Sequence, residues 1–136
     1  MKIKEITSEE TLKIRQEVMW PEKSLEFVKV DGDEKGTHYG LFEDTKLICV
    51  ISMFYRDKEV QFRKFATLTT EQGKGYGTKL LKFVFNEAFK KGVQRIWCNA
   101  RTNKVDFYKS FGMKETNKVF SKNGIKYVIM EIKITK

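Results

Sequence analysis

The chain has 136 residues, 40% of them hydrophobic, and a formal net charge of +9 at pH 7. This length predicts a single domain over residues 1–136, and no apolar run is long enough to predict a membrane-spanning helix. The positive charge favours anionic ligands, but the basic residues are scattered and do not form a nucleic-acid-binding block. Because the first residues lack the apolar core of a signal peptide, we expect a cytoplasmic protein.

The first half of the chain alternates between apolar patterns and polar turns. Ile3 and Ile6 lie in a predicted first strand, and Ser8 followed by two glutamates is typical of a helix cap. The helix should end before Pro21, because the residue that precedes a proline disfavours helical geometry. Residues 21–36 are predicted to be irregular. Strands are then predicted at residues 37–42, 46–55 and 60–68.

The second half begins with an amphipathic helix. Its apolar positions repeat from Tyr76 to Ala88, and Gly92 follows where helices commonly end. The remaining predicted elements are a strand at residues 93–99, a short helix at 103–111, and a hairpin of residues 113–120 and 125–134. The order β-α-β-β-β-α-β-α-β-β predicts a mixed α/β or α+β domain around one twisted sheet, with parallel strands on either side of the long helix.

The glycine-rich turn before the long helix is the strongest functional signal. The first turn of a helix has unpaired N–H groups and partial positive charge, which together bind anions such as phosphate. Gly73, Gly75 and Gly77 would let a ligand approach the backbone, and Lys74 and Lys79 add charge. The spacing fits neither a Walker loop nor a dinucleotide fingerprint. The alternative is a glycine-rich helix start that binds no ligand.

Two stretches of the chain resemble a known superfamily. Gln72-x-x-Gly75-x-Gly77 resembles the Arg/Gln-x-x-Gly-x-Gly/Ala signature of the GNAT N-acetyltransferases. Residues 97–113, which include Phe107-Tyr108, resemble the A-x-x-F-Y-x-x-x-G-F region of the same superfamily. The resemblance covers nearly the whole chain, and shorter segments resemble a small bacterial branch. Those segments are residues 15–21, 38–40, 62–67 and 97–101.

The resemblance implies an N-acetyltransferase that moves an acetyl group from acetyl-CoA directly to a primary amine of a small molecule or peptide. It also implies that the turn holds the pyrophosphate and that the Tyr108 hydroxyl acts on the leaving thiolate. Arg101 and Lys104 stand where asparagine and alanine are common, which would alter cofactor contacts. The implied cofactor-binding residues are Ala66, Thr67, Leu68, Gln72, Gly73, Lys74, Gly75, Tyr76, Gly77, Thr78, Asn103 and Tyr108.

Four residues are predicted to contact the acceptor: His38, Arg63, Asn99 and Arg101. His38 is either a base or a structural residue. In the family arrangement the strands that carry Arg63 and Arg101 flank the reaction centre. Guanidinium groups suit carboxylates, so we expect an acceptor that carries both an amine and a carboxylate. Alternatively, the two arginines point to solvent.

Two other functions fit the same residues: a non-catalytic acyl-CoA-binding or regulatory module, and a basic nucleic-acid-binding protein. Tyr108 favours catalysis over binding alone. The aromatic residues follow core-like patterns, so no nucleic-acid partner is expected. Cys49 and Cys98 are isolated in apolar runs, which predicts buried free thiols and no metal site. We expect no membrane partner, and either a monomer or a homodimer.

Overall fold

The computed structural model describes residues 1–134. Its order of elements confirms the predicted β-α-β-β-β-α-β-α-β-β pattern. The helices are α1 (Ser8–Met19), α2 (Tyr76–Lys90) and α3 (Val105–Lys109). The strands are β1 (Lys2–Ile6), β2 (Thr37–Glu43), β3 (Lys46–Arg56), β4 (Glu59–Thr67), β5 (Arg95–Arg101), β6 (Lys114–Lys122) and β7 (Ile125–Lys133). Single 3₁₀ turns lie at Glu26–Val28, Asp33–Lys35, Thr69–Glu71 and Thr102–Lys104.

The strands form a seven-stranded sheet in the order β1-β2-β3-β4-β5-β7-β6. The pairs β1–β2, β2–β3, β5–β7 and β6–β7 are antiparallel. β4 and β5 are parallel, and residues 59–61 pair with residues 95–97. Parallel neighbours need a crossover connection, which α2 supplies. The mixed sheet with three helices therefore confirms the predicted mixed α+β class.

The chain divides into two compact units: residues 1–54 with 62–86, and residues 55–61 with the chain from Glu87 onward. The first unit has a core of Ile6, Ile14, Val50 and Ala66. In the second unit, alternate residues of β5 are buried and the others are partly or fully exposed. Its buried residues include Ile96, Cys98, Ala100, Val128 and Met130. Both cysteines are buried free thiols, as predicted.

The cap of α1 differs from the sequence prediction. Thr7, and not Ser8, is the N-cap: its hydroxyl accepts a hydrogen bond from the Glu10 N–H at 3.2 Å. The Glu10 carboxylate in turn accepts one from the Thr7 N–H at 3.0 Å. This reciprocal capping box satisfies two N–H groups, whereas the predicted Ser8 cap would satisfy one. The Thr-x-x-Glu spacing was the signal in the sequence.

β4 is continuous but distorted at Lys64, whose φ of +54° lies in the left-handed region. The ring of Phe62 contacts those of Phe65 at 6.4 Å and Phe85 at 6.0 Å. Strict alternation would place Phe62 and Phe65 on opposite faces of the strand, because they are three residues apart. An extra residue at Lys64, as in a β-bulge, brings both rings to the α2 side.

Candidate active site

Hydrogen bonds hold the glycine-rich turn to the end of β4. The Gln72 side-chain amide donates to the Thr67 carbonyl at 2.9 Å, and the Leu68 N–H donates to the Ile48 carbonyl at 2.9 Å. The Gly75 carbonyl accepts from the Lys79 N–H at 3.1 Å, so Gly75 precedes the first turn of α2. The N–H groups of that first turn have no acceptor within the helix, and they carry the positive end of its dipole.

The three glycines of the turn serve different purposes. Gly73 and Gly75 have φ values of +80° and +86°, and an added Cβ at either position would meet no atom within 4 Å. They provide left-handed backbone geometry and open space, which are what close approach by a ligand requires. At Gly77, by contrast, an added Cβ would lie 3.1 Å from the Phe65 ring and 3.5 Å from the Thr67 hydroxyl. Gly77 therefore permits α2 to pack closely against β4.

Side chains of the turn and of the neighbouring end of β3 together carry more positive than negative charge. The Lys74 ammonium lies 3.2 Å from the Glu71 carboxylate, and that of Lys46 lies 3.9 Å from the same group. The hydrogen bond from Lys74 lowers the pKa of Glu71, which keeps this carboxylate ionised. Two ammonium groups against one carboxylate leave positive charge that adds to the dipole of α2. The geometry and the charge both suit a phosphate-bearing ligand.

Tyr108 lies on α3, in the second unit. Its ring contacts Phe107 at 5.3 Å, and Phe107 contacts Phe111 at 5.1 Å. Burial raises the pKa of the Tyr108 phenol well above its usual range, and Cys98 adds to this effect, whereas the charge of Arg101 opposes it. The hydroxyl therefore stays protonated at physiological pH.

The residues that precede Tyr108 have contrasting exposure. Asn99 on β5 is exposed, as are Asn103 and Lys104 in the 3₁₀ turn that follows. Arg101 was expected just after its strand, but it is the last residue of β5. It is partly exposed, yet its Nη2 atom is buried and has no hydrogen-bond partner in the described part of the chain.

His38 is buried in a hydrogen-bonded network of the first unit, with 3% of its surface exposed. Nε2 lies 2.8 Å from the Asp33 carbonyl oxygen, which can only accept, so Nε2 carries a proton. Nδ1 lies 2.7 Å from the Ser52 hydroxyl. These two bonds account for both ring nitrogens and give His38 a structural role. Its predicted contact with the acceptor stays a prediction.

A buried arginine organises the same network. The Arg15 guanidinium donates to the two Asp33 carboxylate oxygens at 2.8 and 3.0 Å and to the Ser52 hydroxyl at 2.9 Å. It also donates to the Val28 carbonyl at 3.2 Å. The network therefore fixes the segment between α1 and β2, although that segment has little regular structure. Arg15 was not identified as a functional or structural residue from the sequence. Its position next to Ile14, on the buried face of α1, could have indicated that its side chain is buried.

Arg63 on β4 lies near this network. Burial lowers the pKa of Arg63, and the charge of Arg15 adds to that effect, whereas Asp33 and Asp31 oppose it. The carboxylates of Asp33 and Asp31 therefore offset only part of the effect of burial on the pKa of Arg63. Its predicted role in acceptor binding stays a prediction.

Comparison with known proteins places the chain in a family. Residues 4–134 match the model of the acetyltransferase (GNAT) domain. The chain belongs to the GNAT acetyltransferase family. This GNAT acetyltransferase is 31% identical over 134 residues to the uncharacterized N-acetyltransferase YitI of Bacillus subtilis. The alignment covers 92% of this chain and 90% of that protein.

Solved structures share the GNAT fold. A putative N-acetyltransferase from Lactobacillus plantarum superimposes with a TM-score of 0.85 at 18% identity, covering 99% of this chain and 100% of that one. A GNAT family acetyltransferase from Elizabethkingia anophelis with acetyl-CoA bound gives a TM-score of 0.77 at 16% identity, covering 98% and 97%. Both comparisons confirm the fold predicted from the sequence resemblance.

The residues predicted to bind cofactor in this GNAT acetyltransferase fall in two stretches. Residues 66–78 form the end of β4, the turn and the start of α2, and lie in the first unit. Asn103 and Tyr108 lie in the second unit. Among residues 1–134, no cluster of metal-binding side chains is present, and no helix is long and apolar enough to cross a membrane.

Proposed function

We propose that this protein transfers an acetyl group from acetyl-CoA directly to a primary amine of a small molecule or peptide. The observation that carries the proposal is the turn at residues 72–77, where left-handed glycines open the start of α2 to an anionic ligand. Membership of the GNAT family supports the proposal. The YitI relative, whose name describes an N-acetyltransferase, supports transfer to nitrogen.

In this proposal the chain supplies binding, orientation and polarisation. The backbone of Ala66, Thr67 and Leu68 binds the pantetheine arm. Because the Leu68 N–H already donates to the Ile48 carbonyl, the N–H group for the carbonyl oxygen of the thioester comes from Ala66 or Thr67. The amine must first lose a proton, because an alkylamine with a pKa of about 10 is mostly charged at neutral pH. A base or a water relay removes that proton.

Tyr108 stabilises the departing thiolate in this proposal. A phenol has a pKa of about 10 and a thiol one of about 8.5, so full proton transfer is uphill by roughly 2 kcal/mol in water. Burial raises the pKa of Tyr108, and burial of the departing thiolate would raise the pKa of the thiol in the same way. Donation of a hydrogen bond to sulfur requires no transfer. We therefore assign Tyr108 the role of a hydrogen-bond donor whose interaction strengthens as the thiolate forms.

Substitution of Gly75 tests the cofactor part of the proposal. Acetyl-CoA should raise the melting temperature of the wild-type protein. At a concentration one hundred times the dissociation constant, the bound ligand adds about 2.7 kcal/mol to the free energy of unfolding. Gly75→Val should abolish that shift, because the new side chain fills the open space at the turn. The measurement is differential scanning fluorimetry with acetyl-CoA from micromolar to millimolar concentrations.

Gly124→Val is the matched control. Gly124 also has a positive φ, +78°, with no atom within 4 Å of an added Cβ, and it lies in the β6–β7 turn. Both variants should melt at a lower temperature than the wild type because valine is strained in left-handed geometry. Only Gly75→Val should lose the response to acetyl-CoA. An equal response in a folded Gly75→Val protein would contradict the assignment of the turn.

A further inference from the structure

Arg101 and Arg15 each have a buried guanidinium nitrogen with no hydrogen-bond partner among residues 1–134, but only Arg15 is also held by a carboxylate. Arg15 binds the Asp33 carboxylate, and Arg95 binds Glu59 at 3.0 Å and Glu131 at 2.6 Å. The Nη2 atom of Arg101 is buried but has no hydrogen-bond partner in the described residues. A buried donor without an acceptor is unfavourable in a folded protein, and such groups mark strain or a missing ligand. The guanidinium therefore has a donor available for an anion.

The face of the sheet around Arg101 is suited to a small amphipathic ligand. Arg101 pairs directly with Tyr127 across β5 and β7, so their side chains leave the same face. The Tyr127 ring stacks on that of Phe120, with centroids 5.2 Å apart and planes inclined by 15°. Asn99, two residues before Arg101, presents an exposed amide on this face. An anion donor, an aromatic surface and an amide thus lie side by side.

Arg101 is the last residue of β5, and the chain continues from it through one 3₁₀ turn into α3, which carries Tyr108. Arg101, Asn99, Phe120, Tyr127 and Tyr108 all belong to the second unit. A ligand held by the guanidinium would therefore lie at the end of β5 from which the chain passes into α3.

We propose that Arg101 binds a carboxylate of the acceptor, and that Tyr127 and Phe120 contact the apolar part of the same molecule. The acceptor is then an amino-acid-like compound with an amine and a carboxylate on a compact apolar frame. A carboxylate matches the guanidinium because both are planar, and two parallel hydrogen bonds fix its orientation. This inference rests on the proposed acetyltransferase function and narrows its substrate class.

The test uses acceptors in matched pairs in which a neutral amide replaces the carboxylate. The pairs are phenylalanine and phenylalaninamide, leucine and leucinamide, and β-alanine and its amide, with release of the coenzyme A thiol as the readout. The wild type should prefer at least one acid over its amide by about 10-fold or more in kcat/KM, the range of a charge-assisted hydrogen bond. Arg101→Gln should reduce that preference to about one, mainly by raising KM for the acid.

Three controls make the result specific. Arg56→Gln removes the same charge from an exposed position at the end of β3 and should keep the wild-type preference. Arg101→Lys keeps the charge without the planar fork and should give an intermediate preference. The acid, but not the amide, should raise the melting temperature of the wild-type protein in the presence of coenzyme A, and Arg101→Gln should remove that shift.

The outcomes separate this inference from the proposed function. Turnover of amides or of carboxylate-free polyamines alone would overturn the inference and leave acetyl transfer standing. Loss of acetyl-CoA binding in Arg101→Gln, with the acid preference retained, would also overturn it and assign Arg101 to the cofactor. Failure of every amine to release thiol, in a wild type that binds acetyl-CoA, would overturn the proposed function and this inference with it.

Discussion

Tyr108→Phe should reduce the rate of acetyl transfer by about 10²-fold while leaving the affinity for acetyl-CoA nearly unchanged. The substitution keeps the ring that packs against Phe107 at 5.3 Å and removes only the hydroxyl. A hydrogen bond to sulfur is worth more to the thiolate than to the thioester, so its loss should lower kcat and kcat/KM together. Steady-state kinetics of thiol release and an acetyl-CoA titration of the same protein measure the two quantities.

Tyr55→Phe is the control for loss of a hydroxyl. Tyr55 lies on β3 in the same unit, and its ring carries the Lys91 ammonium at 4.6 Å from the centroid. Removal of this hydroxyl should leave the rate of acetyl transfer within a factor of two or so of the wild type. Wild-type turnover in Tyr108→Phe would instead show that Tyr108 only packs against the neighbouring aromatic residues of α3.

Asp33→Ala should destabilise the protein by about 3 to 5 kcal/mol, the usual cost of removing one partner of a buried ion pair. The Arg15 side chain has no solvent exposure, and it would keep its charge after losing both carboxylate bonds. The Val30 N–H would also lose its acceptor at 2.9 Å. Urea denaturation followed by circular dichroism gives the free energy of unfolding.

Asp31→Ala is the matched control, because Asp31 is an exposed carboxylate two residues away. Its free energy of unfolding should stay within about 0.5 kcal/mol of the wild type. The double variant Arg15→Met/Asp33→Ala should recover much of the loss, since it leaves no unpaired buried charge. Equal effects of Asp31→Ala and Asp33→Ala would show that the ion pair contributes nothing specific.

The same ion pair predicts how stability depends on pH. Burial raises the pKa of Asp33, but the hydrogen bonds from Arg15 and the Val30 N–H outweigh that effect and hold the pKa below its usual value. A carboxyl group with a lowered pKa in the folded state stabilises the protein above the unfolded pKa of about 3.9. This contribution is lost as the pH falls through the folded pKa. The difference in stability between wild type and Asp33→Ala should therefore shrink in acid.

The sequence predicted the order of elements and the position of the turn because both depend on local patterns. The spacing from Tyr76 to Ala88 set α2, and the glycines at positions 73 and 75 fit a left-handed turn before it. Boundaries were less accurate: β5 ends at Arg101, whereas the predicted strand ended at residue 99. The cause is that β5 alternates buried and exposed residues up to its end, so an arginine there does not interrupt the strand.

Contacts between distant residues could not be predicted in this way. Arg15 and Asp33 are 18 positions apart, and nothing in the irregular segment between them indicates that their side chains meet. The bulge at Lys64 likewise changes which residues of β4 share a face, although Phe-Arg-Lys-Phe-Ala reads as a regular strand. The orientation of Arg63 was therefore open from the sequence.

Direct transfer converts acetyl-CoA and an amine together, so both products should be counted in one reaction. Wild-type protein is incubated with acetyl-CoA and the amine panel, and the free thiol and the N-acetylated amine are each quantified by mass spectrometry. Direct transfer predicts equal molar amounts of the two products, with both reduced together in Tyr108→Phe. Free thiol without acetylated amine would indicate hydrolysis. Acetyl-CoA binding without either product would indicate a non-catalytic module. Each result would contradict direct acetyl transfer.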